Sequence, residues 1–251
     1  MVTRGNATQP GPATATDTKE RRNVRRWMSL ASLLAAALIL AQKALASPLG
    51  VFRSIEMRAP AGAAIPQWQH LLVRLDQQRG AWHACLRDDR LCGSRSAGAW
   101  RALLRDLRGR PLEQQMRAVN DFANRLRYTA DIRQWGQSDY WATPLEFLTT
   151  GAGDCEDYAI LKYAGLRELG VPVEQLRLVV VEDTSRGIAH AVLAVRSDTT
   201  TWILDNQESA VLPDDRIAHY EPYYSINETG RWSHLPEADL GVGRSLSSAG
   251  R

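Results

Sequence analysis

Apolar residues recur every three or four positions through much of the first half of the chain, which predicts amphipathic helices there. The first such stretch runs from about Pro66 to Leu107. Its apolar positions are Trp68, Leu71, Leu72, Leu75, Trp100, Leu103, Leu104 and Leu107. The tripeptide Gly-Arg-Pro at 109–111 interrupts the pattern, and "LEQQMRAVNDFANRLRY" resumes it. The residues that follow, up to 153, contain several turn-forming glycines and read as a loop.

The clearest helix signal in the chain covers Cys155 to Leu169. Asp154 is a good N-cap residue, and the acids Glu156 and Asp157 suit the positive end of the helix dipole in the first turn. Gly170 supplies the stop at the other end. A helix is therefore predicted to begin at a cysteine that is surrounded by carboxylates.

Beyond Pro172 the apolar period changes from about 3.6 to two, which is the period of a half-buried strand. Three strands are predicted in the segments "LRLVVVED", "IAHAVLAV" and "TTWILDN", with "RSDT" as a hairpin turn between the last two. The order is thus helices, a central helix and then an antiparallel sheet, which defines an α+β fold.

The N-terminal segment has the features of an export signal. The basic "RRNVRRW" precedes an apolar run, "MSLASLLAAALILA", that is shorter than the roughly 20 residues of a spanning helix. Small residues at Ala44 and Ala46 predict cleavage after Ala46, while an uncleaved anchor is the alternative. We therefore divide the chain into a signal peptide with a basic leader (1–46), a linker (47–65), a folded domain (66–234) and a flexible tail (235–251).

The charge of the chain is concentrated in this leader. The whole sequence has a formal net charge of +3, but residues 1–46 carry seven basic and two acidic side chains, so the remainder has a net charge of −2. A faintly acidic domain gives no indication of nucleic-acid binding.

Two of the three cysteines are close in sequence. Cys85 and Cys92 lie seven residues apart in "CLRDDRLC", and in an oxidising compartment they are expected to form a disulfide. Two free thiols are the alternative. Cys155 has no such neighbour.

The lone Cys155 belongs to a possible catalytic constellation. The predicted hairpin turn places His190 and Asp205 opposite or diagonal to each other on neighbouring strands, within reach of a hydrogen bond. A thiol at a helix N-terminus, an imidazole base and a carboxylate that orients the base are the parts of a cysteine nucleophile system. Taken singly, each residue is equally explained by packing or turn formation.

An oxyanion site would complete this machinery. The backbone amide of Cys155 is one candidate donor, and the loop at 135–144 offers Trp141 or Tyr140 as a second.

Three acids beside one thiol oppose formation of the thiolate, unless a cation neutralises them. We expect a Ca²⁺ site that uses Asp154 and Glu156, with Asp157 as a further ligand, since carboxylates are preferred ligands of this hard cation. The alternative is that the acids cap the helix or pair with Arg or Lys.

The stretch "WATPLEFLTTGAGDCEDYAILKYAGLRELGV", followed by "HAVLAV" and "LDN", resembles the bacterial transglutaminase-like cysteine proteinases of the LapG type, over roughly residues 66–230. The resemblance implies a papain-like fold with Cys155 as nucleophile, His190 as base and Asp205 as orienting acid. It also implies calcium dependence through the acids that flank the cysteine, which match Asp154 and Glu156.

Members of that family are periplasmic and cut large surface adhesins near the adhesin N-terminus, at paired alanines, which releases cells from biofilms. An inner-membrane receptor for cyclic di-GMP sequesters them through its periplasmic domain. We therefore expect a periplasmic protease with an adhesin as substrate, such a receptor as partner, and no stable membrane insertion after signal cleavage. Two alternatives stay open: an acyl transferase, of transglutaminase or amidase type, with the same triad, or a non-catalytic binding module.

Overall fold

The computed structural model describes residues 50–60, 63 and 65–236, all of which belong to one compact unit. The predicted export signal at 1–46 and nearly all of the predicted tail lie outside the described residues.

Helices fill the first half of the described chain, as the apolar spacing predicts. Short 3₁₀ turns separate some of the elements. The α-helices are α1 (Pro66–Arg87), α2 (Arg95–Leu107), α3 (Leu112–Ala123), α4 (Asp131–Gln134), α5 (Pro144–Thr150) and α6 (Cys155–Glu168).

Strands follow, apart from the first three, which are short and come earlier in the chain. They are β1 (Ile55–Arg58), β2 (Arg127–Tyr128), β3 (Ala152–Gly153), β4 (Leu176–Asp183), β5 (Ile188–Ser197), β6 (Thr200–Leu204), β7 (Leu212–Pro213), β8 (Tyr220–Asn227) and β9 (Gly230–Leu235). Seven of them form an antiparallel sheet in the order β1-β9-β8-β4-β5-β6-β7, and β2 pairs with β3 in parallel. The predicted α+β class is confirmed.

The register of the central strands agrees with the sequence prediction. Strand β4 has the predicted bounds, and it pairs with β5 so that Val181 lies opposite His190. Strand β5 pairs with β6 through a tight turn in which Asp198 has a φ of 50°. Asp205 follows directly after β6, so the hairpin sets its distance from His190.

The predicted linker at 47–65 is wrong for Ile55–Arg58, which form an edge strand of the main sheet. This strand pairs with β9, so that Ile55 lies opposite Leu235, the first residue of the predicted tail. Four residues between segments rich in Pro, Ala and Gly have too short a pattern to reveal a strand. Hydrogen bonds to a partner about 180 residues away stabilise it instead.

The sheet has apolar packing on both faces. The helices cover one face, where the strand residues Leu178 and Leu193 join the main core. Val51 packs with Val179 and Val192 of the opposite face. Helix α6 lies deep in the main core, which explains why ten of its 14 residues are buried.

Cys85 and Cys92 form a disulfide across the turn between α1 and α2. The bond links the end of α1 to the turn at Asp89–Leu91, and both sulfurs are buried. Within the described part of the chain, no helix is long and apolar enough to cross a membrane.

Candidate active site

The loop before α6 is built tightly against the first turn of that helix. The carboxylate of Asp157 accepts a hydrogen bond from the backbone amide of Asp154 at 3.3 Å and another from that of Ala142 at 2.7 Å. A Cβ on Gly153 would lie 2.1 Å from the same carboxylate, so this position requires glycine. The turn therefore presents Cys155 at the helix N-terminus, as the sequence predicts.

The Cys155 thiol is half-buried and donates to Oε2 of Glu156 at 3.1 Å. Burial raises the pKa of the Cys155 thiol far above its ordinary value, and the charges of Glu156 and Asp154 raise it further. The backbone amide of Ala191, which follows His190 on β5, acts in the opposite direction. Unless a positive charge is placed nearby, this thiol therefore stays protonated.

His190 and Asp205 form the hydrogen bond that the hairpin register predicts. Nε2 of His190 lies 2.9 Å from Oδ1 of Asp205, and the two residues are only 2% and 3% exposed. Asp205 also accepts from the hydroxyl of Tyr220 at 2.6 Å and from the backbone amide of Gln207 at 2.9 Å. Three hydrogen-bond donors therefore hold the Asp205 carboxylate in a fixed position.

The electrostatics of Asp205 follow from these contacts. Burial alone would raise the pKa of Asp205, but His190, through its hydrogen bond and charge, and the hydrogen bonds from Gln207 and Tyr220 together outweigh it, and the pKa is lowered. An ionised Asp205 can only accept, so Nε2 of His190 carries the hydrogen and Nδ1, which has no hydrogen, is the nitrogen that can take up a proton. This is the arrangement that a thiol base needs.

Lys162 of α6 is a buried cation that the sequence analysis did not single out. Its side chain is fully buried, and its Nζ has no hydrogen-bond partner among the described residues. Burial lowers the pKa of Lys162 to about 7, while the charge of Asp205 acts to raise it. The ammonium thus lies in the core and interacts electrostatically with Asp205, the carboxylate that orients His190.

Two acids that sequence reasoning missed join those around Cys155. Asp131 and Asp139 lie within 4.8 Å, ligand atom to ligand atom, of Glu156, and Asp131 is equally close to Asp154 and Asp157. The pairing of β2 with β3 produces this proximity, because Asp131 comes three residues after β2 and Asp154 directly follows β3. The backbone amide of Asp131 donates to Asp154 at 3.2 Å.

Crowding makes these carboxylates unfavourable as anions. Burial, reinforced by neighbouring acids, raises the pKa of Asp131 to about 6 and raises that of Asp154. The pKa values of Glu156 and Asp157 are raised well above their ordinary range by the same two causes.

The cluster fits a hard divalent cation. Oδ1 of Asp131 and Oδ1 of Asp154 are buried and have no hydrogen-bond partner among the described residues. Unpaired carboxylate oxygens are unusual in a protein interior, and an all-oxygen donor set with several negative charges suits Ca²⁺. Among the predicted ligands, Asp154 clusters with Glu156 and, separately, with Asp157, while Asp131 clusters with Asp154 and Asp157 in one group and with Asp139 and Glu156 in another. Asp157 also caps the helix, so the metal-ligand interpretation and the helix-cap interpretation both apply to it.

The structure gives no support to the predicted second oxyanion donor. The indole N–H of Trp141 donates to Asp139 at 2.9 Å, and the hydroxyl of Tyr140 accepts from Arg74 at 2.6 Å. The indole is thus engaged within the loop that carries Asp139, and the hydroxyl is engaged by a side chain of α1. The backbone amide of Cys155, at the start of α6, stays the predicted donor.

Comparisons with known proteins assign the chain to a class. The family model described as bacterial transglutaminase-like cysteine proteinase matches residues 76–239, about two thirds of the chain. The chain therefore belongs to this family of cysteine proteinases, and the predicted resemblance is confirmed.

Solved structures of Legionella pneumophila LapG are similar to this chain. The calcium-bound form is 35% identical, with a TM-score of 0.52, over 62% of this chain and 84% of LapG. A second LapG structure is 31% identical, with a TM-score of 0.54, over 65% of this chain and 91% of LapG. An EGTA-treated form matches at 31% identity, over the same shares of each chain, with a TM-score of 0.53. No curated protein matches the chain.

Proposed function

We propose that this protein is a periplasmic, calcium-dependent cysteine endopeptidase that cuts a large cell-surface adhesin near its N-terminus and so promotes biofilm dispersal. The observation that carries the proposal is the buried His190–Asp205 hydrogen bond of 2.9 Å, in a chain whose only free cysteine begins the central helix. Membership in a cysteine proteinase family supports the same conclusion.

The proposed reaction is acyl transfer to water. Nδ1 of His190 takes the proton of the Cys155 thiol as Sγ attacks the carbonyl carbon of the scissile peptide bond. The imidazolium then returns that proton to the leaving amine, the C–N bond breaks and a thioester is left on Cys155. A water molecule, deprotonated by His190, hydrolyses the thioester and regenerates the thiol. Asp205 keeps Nε2 protonated throughout and stabilises the imidazolium.

The acidic cluster has a defined part in this proposal. Asp154 and Glu156 would hold the calcium ion, with Asp157, Asp131 and Asp139 as the further candidates. Bound calcium supplies positive charge that offsets the carboxylates and so favours the thiolate. The likeness to a LapG structure in its calcium-bound form supports this assignment.

The proposed partner is the periplasmic domain of an inner-membrane receptor for cyclic di-GMP, which would sequester the protease. This partner and the adhesin substrate rest on the family resemblance.

The test combines purified protein with recombinant N-terminal fragments of candidate adhesins, in excess Ca²⁺ or in EGTA. We expect one discrete truncation in Ca²⁺, none in EGTA, and none with Cys155→Ala. An Asp121→Asn variant, altered at an exposed acid of α3, is the matched control and should cleave like the wild type. Cleavage that persists in Cys155→Ala would contradict the proposal.

A labelled primary amine in the same reactions examines the acyl-transferase alternative. We expect hydrolysed product without label. Amine incorporation that exceeds hydrolysis would instead assign the chain to the transferases.

A further inference from the structure

The second ring nitrogen of His190 has a partner of its own. Nδ1 lies 3.2 Å from Nε2 of Gln207, while Nε2 of the ring is bound to Asp205 at 2.9 Å. Gln207 is also anchored at its backbone, because its amide donates to the same Asp205 oxygen at 2.9 Å. One residue therefore contacts both members of the His190–Asp205 pair.

The direction of the side-chain contact follows from valence. A carboxylate only accepts, so the neutral ring keeps its hydrogen on Nε2 and offers a lone pair at Nδ1. The Gln207 side-chain amide donates to that lone pair. Since Nε2 is committed to Asp205, Nδ1 is the one nitrogen that can take the thiol proton, and it is already occupied.

The thiol is occupied as well. Cys155 donates to Glu156 at 3.1 Å, so the nucleophile and the base are each bound to a different side chain. Glu156 belongs to the acidic cluster that is proposed to bind the cation, whereas Gln207 belongs to the segment after β6. The two contacts are therefore separate. Loss of the contact between Cys155 and Glu156 leaves the contact between His190 and Gln207 in place.

We propose that Gln207 is a positioning residue that covers Nδ1 of His190 in the free enzyme and uncovers it when a peptide binds. Gln207 is exposed, so its side chain moves into solvent at low cost, while its backbone stays fixed on Asp205. A carbonyl of an extended peptide is the chemical class of ligand that accepts the released amide. This inference rests on the proposed function, because it assigns a role within the same site.

The test uses Gln207→Met, which keeps the side-chain length and removes the donor. Cys155 is the only free cysteine, so the rate of iodoacetamide alkylation reports on it alone. In excess Ca²⁺ and without substrate, we expect alkylation about two- to tenfold faster than in the wild type, the range for loss of one net hydrogen bond. The ¹⁵N resonance of Nδ1 of His190 should shift as its donor is lost, while the Nε2 resonance stays in place.

Gln114→Met, at an exposed glutamine of α3, is the matched control and should leave both readouts unchanged. The added variant Gln207→Met/His190→Ala should alkylate as slowly as His190→Ala, because the gain acts through the base. An unchanged or slower rate in Gln207→Met would overturn the inference. Failure of the wild type to cleave any adhesin fragment would remove the proposed function and leave the alkylation result standing, so the two failures are distinguishable.

Discussion

The candidate site has two halves: the satisfied half, which is the pair His190 and Asp205, and the acidic half, which is the group of carboxylates around Cys155. They differ in how completely hydrogen bonds from the protein pair their polar atoms. Asp205 accepts from His190, Tyr220 and Gln207, and its pKa is lowered. Around the start of α6, Asp131 and Asp154 each have a buried oxygen without a partner among the described residues, and the pKa values of Asp154 and Glu156 are raised. The first half is therefore complete without help, while the second has the chemistry of a site that needs a cation.

The base His190 is therefore positioned by one set of contacts, and the ionisation of the nucleophile Cys155 is controlled by another. The hairpin of β5 and β6 holds the base whether or not an ion is present, since its contacts come from neighbouring strands. Cys155 lies in the half that lacks positive charge, so its reactivity should follow calcium. Substitutions in the two halves should accordingly affect different measurements.

The largest effect is expected from Asp205→Asn. An asparagine fills the same space but no longer holds the imidazole in the required tautomer, so kcat/KM should fall by roughly 10³- to 10⁴-fold. The rise in melting temperature on addition of Ca²⁺ should stay that of the wild type, because the acidic cluster is intact. A variant that retains more than a tenth of the activity would show that Asp205 does not orient the base.

Lys162→Met examines a buried cation whose Nζ has no hydrogen-bond partner among the described residues and whose pKa is influenced by the charge of Asp205. A buried lysine whose folded pKa is lowered to about 7 destabilises the fold below that pH, and this cost disappears as the pH rises towards the unfolded value of 10.5. Methionine removes the cost, so the free energy of unfolding at pH 7 should rise by ~4 kcal/mol. Denaturant titrations of both proteins at pH 7 and pH 10 measure it. Equal stability of the two proteins at pH 7 would contradict the prediction.

Calcium should stabilise the fold through the acidic half alone. An ion present at about 100 times its Kd adds ~2.7 kcal/mol, which corresponds to a rise of roughly 5–10 °C in melting temperature for a domain of this size. Asp154→Asn should lose most of this rise, and Asp121→Asn should keep it. Thermal melts in Ca²⁺ and in EGTA provide the comparison, and an unchanged rise in Asp154→Asn would remove that residue from the site.

A smaller effect is expected in the pH dependence of the protein in EGTA. Acids whose folded pKa is raised stabilise the fold below their unfolded pKa, and they lose this contribution as the pH rises through the folded value. For Asp131 the window runs from its ordinary value of 3.8 to about 6. Stability in EGTA should therefore fall across this range, and Asp131→Asn should flatten the slope. A stability that rises with pH in EGTA, equally in both proteins, would contradict the assignment.

The sequence predicted the satisfied half better than the acidic half. His190 and Asp205 share one hairpin, so the period of two and a short turn determine their distance. Asp131 lies more than twenty residues before Asp154, and only the pairing of β2 with β3 brings them together. Each of these strands has two residues, which leaves no periodic signal to read.

The edge of the sheet was hidden for the same reason. Ile55–Arg58 pair with a strand at the other end of the described chain, and a pattern of four residues does not stand out. Lys162 was missed because helix α6 is buried on nearly every side, so burial there does not follow the apolar stripe. Local periodicity predicted the elements, but the long-range contacts depend on the assembled fold.

The most direct test of the central claim is the rate of iodoacetamide alkylation of Cys155, in Ca²⁺ and in EGTA, for the wild type and for Asp154→Asn. If a cation offsets the acids beside the thiol, alkylation of the wild type should be at least about tenfold faster in Ca²⁺, since one pKa unit is a tenfold change in thiolate. Asp154→Asn should show little dependence on the ion. Equal wild-type rates in Ca²⁺ and EGTA would contradict the account, because the acidic half would then have no control over the nucleophile.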